Sequence, residues 1–149
     1  MKSFFAILLL LSSAFIASAQ KNITPFPKAV FTAKTVAIIN NTHNEAVEQG
    51  ANEVLKRWGH FTIVDDPEAA DIVLSFDKSG GREGRSSQST DASGKPDYSY
   101  SMSFSSTIRM KASLKGVATS FYSTSTGDSK KKAGASCVND LQSAYLADH

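Results

Sequence analysis

From Tyr98 to Leu114 the side chains alternate with a period of two. Tyr98, Tyr100, Met102, Phe104, Ile108, Met110, Ala112 and Leu114 fall on one side of that period. Ser99, Ser101, Ser103, Ser105, Thr107, Arg109, Lys111 and Ser113 fall on the other, and Ser106 is the single polar break on the apolar side. Successive side chains point to opposite faces of an extended strand, so a run of this length is a strand and not a helix. The pattern predicts one long half-buried strand, bent near Ser105-Ser106, with a polar and solvated second face. Such a strand favours antiparallel pairing in a sheet with one open side. Its apolar side requires a roof.

Two helical segments are available for that roof. Val47, Ala51, Val54, Leu55 and Trp58 share one face at helical spacing, with acids early and bases late. Thr42 and Glu45 have the spacing of a capping box, and Gly59 suits the residue that ends the helix. A second helix is expected from a Ser129 cap to about Leu146, with Ala133, Cys137, Leu141, Ala144 and Tyr145 facing inward.

Short apolar runs at Thr35–Ile39, Phe61–Val64 and Ile72–Phe76 read as strands, and Val30-Phe31 as the start of an extended stretch. Lys115-Gly116 reads as a tight turn, followed by a strand from Val117 to Thr124. The strand-helix-strand order through residue 74 implies a crossover unit within one sheet. The stretch 79–97 is rich in glycine and serine and nearly devoid of apolar side chains. It is expected to be a flexible loop. The whole order is β-α-β-β-β-β-α, an α+β two-layer sandwich: a mixed sheet of about five strands with two helices on one face.

The beginning of the chain sets where such a domain works. Lys2, the apolar run from Phe4 to Leu11 and on to Ile16, and the small residues Ala17-Ser18-Ala19 form the pattern of a cleavable signal peptide, cut after Ala19. The apolar run falls short of the roughly 20 residues of a membrane span. Gln20, not cysteine, follows the cut, so no lipid attachment is expected. Residues 20–29, with Pro25 and Pro27, read as an extended leader, and 30–147 as a single domain. Cleavage leaves 130 of the 149 residues and, with Lys2 gone, lowers the formal charge from +2 to +1. So small a charge argues against a nucleic-acid binder. One cysteine, Cys137, rules out an intrachain disulfide, and a buried apolar role is expected for it.

The phrase from Phe61 through Asp65-Asp66-Pro67-Glu68-Ala69-Ala70-Asp71 to Leu74, after a helix ending Trp58-Gly59 and before a hairpin and a last helix, resembles small envelope domains of bacteria. These include the periplasmic part of the curli secretion channel and the N-terminal domain of the Tol-system propeller protein. The resemblance implies a non-enzymatic envelope role in assembly or protein contact, and brings no catalytic residues to carry over. The Ser/Gly-rich stretch and the missing lipid-bearing cysteine depart from it.

Few residues point to chemistry. His43, His60 and His149 are the only histidines, and the first two flank a helix roughly 20 Å long, too far apart to share a metal. Asp65, Asp66, Glu68 and Asp71 offer oxygen ligands, but Asp66 before Pro67 fits a turn cap better. No Gly-x-Ser-x-Gly elbow and no phosphate loop occurs. No catalytic, cofactor or metal site is therefore assigned. The expected contact surfaces are the row Ser99, Ser101, Ser103 and Ser105, the loop, and the corner Lys130, Lys131 and Lys132. The leading expectation is a non-catalytic exported domain, periplasmic or secreted, that binds another envelope protein. The alternatives are a metal-dependent hydrolase using Asp65 and Asp66, and a glycan or surface binder using the Ser/Thr face of 98–114.

Overall fold

The computed structural model describes residues 24–90 and 92–149. The signal peptide expected over 1–19 and the first residues of the leader lie outside them. The element order is α1 (Lys28–Thr32), β1 (Thr35–Asn40), α2 (Glu45–Trp58), β2 (Thr62–Ile63), β3 (Ile72–Thr90), β4 (Pro96–Leu114), β5 (Ser120–Thr126) and α3 (Lys130–Asp148). One mixed sheet has the strand order β2-β1-β3-β4-β5. The α+β sandwich is the fold expected from the sequence, with one short helix added.

β1 lies parallel to both β2 and β3, as crossover connections require, and β4 runs antiparallel to β3 and β5. Between β4 and β5 the register slips at Ala112/Ser113. Tyr122 stands opposite Ala112, and the slip lets Phe121 also reach the core. Leu74, Phe76, Ile108, Met110 and Ala112 point to the helices. They join Val47, Ala51, Val54, Leu55, Ala133, Cys137, Val138 and Leu141 in one core.

α2 is capped by Asn44, whose side chain accepts from the Ala46 N–H at 3.1 Å. The expected Thr42 cap does not form, because the Thr42 hydroxyl donates to Asn40 Oδ1 at 2.6 Å and is buried in the β1–α2 connection. Gly59 closes the helix in the left-handed region, φ 66°, its N–H donating to Leu55 O. Ser129 sits at the N-cap of α3, but its side chain makes no capping bond.

The two long helices touch backbone to backbone. A Cβ on Gly50 would collide with Lys131 O, and one on Gly134 with Val47 O. Glycine in a helix interior costs about 1 kcal/mol relative to alanine. Here it permits the close crossing that seats both helices on one sheet face. Neither glycine is marked by the hydrophobic period, because each acts through a partner far along the chain.

Three expectations about extended or loose chain are corrected. Val30 and Phe31 belong to the helical turn α1, which buries Val30, and not to a strand. The leader is not loose at Phe26, which is buried and whose N–H donates to Asp148 Oδ2 at 2.6 Å. The stretch 79–97 is not a flexible loop. Residues 79–90 form the outer part of β3, and residues 96–97 begin β4, paired in unbroken register from Ile72↔Leu114 to Thr90↔Pro96. Composition predicts whether side chains can be buried. It does not say whether a backbone can pair, and here β4 supplies the complementary ladder.

Candidate functional site

Beyond the core, β3 and β4 continue as a two-stranded arm. β1 ends its pairing at Asn40↔Phe76 and β5 at Thr126↔Ile108. From Gly80↔Ser106 to Thr90↔Pro96 the ribbon pairs only with itself. Eleven pairs of that register span about 35 Å at the usual strand rise. Both outer edges of the arm expose unpaired backbone groups.

The apolar side of β4 divides at this point. Ile108, Met110 and Ala112 are 5%, 0% and 0% exposed. Tyr98, Tyr100, Met102 and Phe104, in phase with them on the same face, are 72%, 67%, 49% and 70% exposed. The roof expected over the whole strand covers only its second half. The partners across the ladder explain the shape of the exposed half. Gln88, Ser86 and Gly84 stand opposite Tyr98, Tyr100 and Met102. A Cβ on Gly84 would fall 2.7 Å from Tyr100 Oη, so the Tyr100 ring reaches over the glycine. The face is a ridge of aromatic and methionine side chains beside a row of small and polar ones.

The serine row lies on the reverse face. Ser99, Ser101, Ser103 and Ser105 are exposed and stand roughly 7 Å apart along the strand. Ser99 Oγ and Ser87 Oγ share a 2.6 Å hydrogen bond, and Ser101 Oγ donates to Arg85 O at 3.4 Å. The row thus makes cross-strand bonds within the arm.

The lysine corner begins α3 at the root of the arm, just after β5 ends opposite Ile108. Lys131 Nζ pairs with Glu53 at 2.6 Å and Lys132 Nζ with Asp128 at 3.0 Å. Asp128 Oδ2 also accepts from Ser136 at 2.7 Å. The Ser136 hydroxyl and Lys132 hold the Asp128 carboxyl below its usual range. Two of the three lysines therefore already face carboxylates. Lys130 takes a left-handed backbone, φ 54°.

The acids between β2 and β3 serve the chain itself. Asp66 Oδ1 accepts from the Glu68 N–H at 2.9 Å, the turn cap expected. Asp71 Oδ2 accepts from the Lys34 N–H, the Thr35 N–H and the Thr35 hydroxyl, and these bonds hold its carboxyl below the usual range. Among the described residues no three His, Cys, Asp or Glu side chains group closely enough to hold a metal ion. Cys137 is buried, and burial pushes its thiol up to about 11, so the nucleophilic thiolate is scarce at neutral pH.

One grouping escapes the sequence altogether. His60 and Tyr145 share a 2.9 Å hydrogen bond. Trp58 stacks on His60 at 5.7 Å, and Phe61 meets His60 edge-on at 4.6 Å. His149 lies 5.4 Å from Phe31 and 5.8 Å from Tyr145 by ring centroids. Desolvation first, then Lys34 and His149, lower the pKa of His60. This cluster ties α1 and the ends of α2 and α3 together.

No helix among the described residues is long and apolar enough to cross a membrane. Compared with known protein families and with curated proteins, the chain matches none.

Proposed function

We propose that this chain is a non-catalytic exported domain that binds protein in the cell envelope through the outer arm of its β3–β4 hairpin. One observation carries the reading: Tyr98, Tyr100, Met102 and Phe104 are half to three-quarters exposed on an arm that the helices leave uncovered. Contiguous apolar patches of this kind are uncommon on monomeric soluble proteins and mark interaction surfaces, and tyrosine is enriched among the residues that dominate binding energy. Export rests on the signal-peptide pattern, and the envelope setting on the resemblance described above. The serine row ranks below the stripe as a contact surface, since Ser99 and Ser101 already bond across the ribbon. The acids rank below it as well, since Asp66 and Asp71 already cap backbone N–H groups.

A photo-crosslinking amino acid at Phe104, placed in the exported full chain in living cells, tests the reading. A discrete protein adduct is expected from position 104 and none from position 111, on the opposite face of the sheet. Silence at 104, or equal adducts from both positions, overturns it.

A further inference from the structure

We infer that the arm's partner is a second copy of this chain, its aromatic stripe stacked face to face on the same stripe with the two arms running in opposite directions. The inference rests on the protein-binding reading of the arm and names the partner.

Area is the first argument. Aromatic side chains carry roughly 150–250 Å² each. At the exposures of Tyr98, Tyr100, Met102 and Phe104, the stripe offers about 500 Å² per copy, so about 1,000 Å² for a pair. That meets the floor of about 1,000 Å² for a biological interface, and the flanking Ser86, Gln88 and Ser106 add to it.

The second argument is chemical. Lipid asks for an apolar face across its whole width. This face is apolar only along β4, while its β3 half carries Lys78, Ser86 and Gln88. A narrow apolar ridge flanked by hydrogen-bonding groups matches the composition of a protein interface, with an apolar centre and a polar rim. The ridge is also self-complementary. Its side chains stand about 7 Å apart along the strand, leaving gaps that the same row from another copy fills.

Geometry fixes the direction. The helices stand on the same face as the stripe, over Leu74, Phe76, Met110 and Ala112. Two arms stacked in the same direction would drive two helix layers into one another. In opposite directions, each arm occupies the space beside the other's helices, and its tip comes to the other's root. Sheet packs on sheet at about 10 Å, so the second arm takes over the uncovered face as a continuing layer. A two-fold axis then passes near Ser101, which brings Met102 of one copy close to Met102 of the other and leaves the two tips far apart.

Sedimentation equilibrium of the full chain purified from the cells that export it, from 1 to 200 μM, tests the inference. A reversible dimer is expected, and Y100S with F104S should weaken it by about 100-fold or more. Circular dichroism, and the melting temperature at a concentration where both proteins are monomeric, should stay close to those of the parent, since neither side chain enters the core. In a second arm, M102C should be linked to M102C of the other copy by a bis-maleimide of about 10 Å span, while Q88C at the tip should not. A monomer at 200 μM overturns the inference. So does a dimer indifferent to Y100S and F104S, efficient linkage through Q88C, or association that occurs only on phosphatidylglycerol vesicles. A monomeric protein that still yields a heterologous adduct at position 104 overturns the second copy and leaves the protein-binding reading standing. Silence in both experiments removes both.

Discussion

The two halves of the β3–β4 ribbon have the same register and the same alternation, yet only one of them has a core. In the inner half, Phe76 faces Met110 and both are sealed by α2 and α3. In the outer half, Tyr100 faces Ser86 and both meet solvent. Nothing in the ladder distinguishes them. The difference lies in what stands above: the helix layer ends near Ile108, while β3 and β4 continue beyond it. A strand period therefore reports which side chains share a face, and the length of the neighbouring elements decides whether that face is buried.

The comparison has a direct test in stability. Phe76→Ala, which empties a fully buried ring site, should cost about 4 kcal/mol by urea denaturation. Gly134→Ala acts on the layer that makes the inner half a core. It gains about 1 kcal/mol of helix propensity but drives a methyl group into Val47 O, and a net loss of about 2 kcal/mol is expected. A stabilised Gly134→Ala variant would show that the crossing is looser than described. Phe104→Ser, in the outer half, should move stability measured at 1 μM by no more than about 0.5 kcal/mol. A cost near that of Phe76→Ala would erase the distinction between the halves.

The smallest effect concerns the aromatic cluster. Because the pKa of folded His60 is lowered, unfolded chain takes up the proton first as pH falls. The stabilising contribution is present above about pH 6.5, the unfolded value, and is lost as pH drops through the folded one. His60 is largely exposed, so solvent screening keeps this to a few tenths of a kcal/mol. His60→Gln should flatten the decline of melting temperature between pH 7 and pH 5, and should leave the arm's association unchanged.

The fold was legible where local pattern and tertiary fate agree. The amphipathic face of Val47, Ala51, Val54 and Leu55 and the run Ile72–Phe76 are such cases, each with side chains that must be buried wherever they land. The stretch 79–97 was misread because serine and glycine predict little burial, whereas a hairpin arm asks only for backbone partners. Val30 and Phe31 were misread because two apolar residues carry no period. Thr42 and Asn44 are both capping residue types, and only the bond from Thr42 to Asn40 decides between them. Of the candidate contacts, the serine row was placed on the correct strand and exposed face. The apolar row on the other face reads as core in the sequence, because hydrophobicity alone does not announce an uncovered surface.

The bond between the Phe26 N–H and Asp148 brings the start and the end of the described domain together. α3 begins at the root of the arm and runs away from it, so both ends emerge at the opposite pole of the domain. A fluorophore or fusion attached after His149 would sit clear of the stripe, and a circular permutant joining residue 24 to residue 149 could be opened near Gly94.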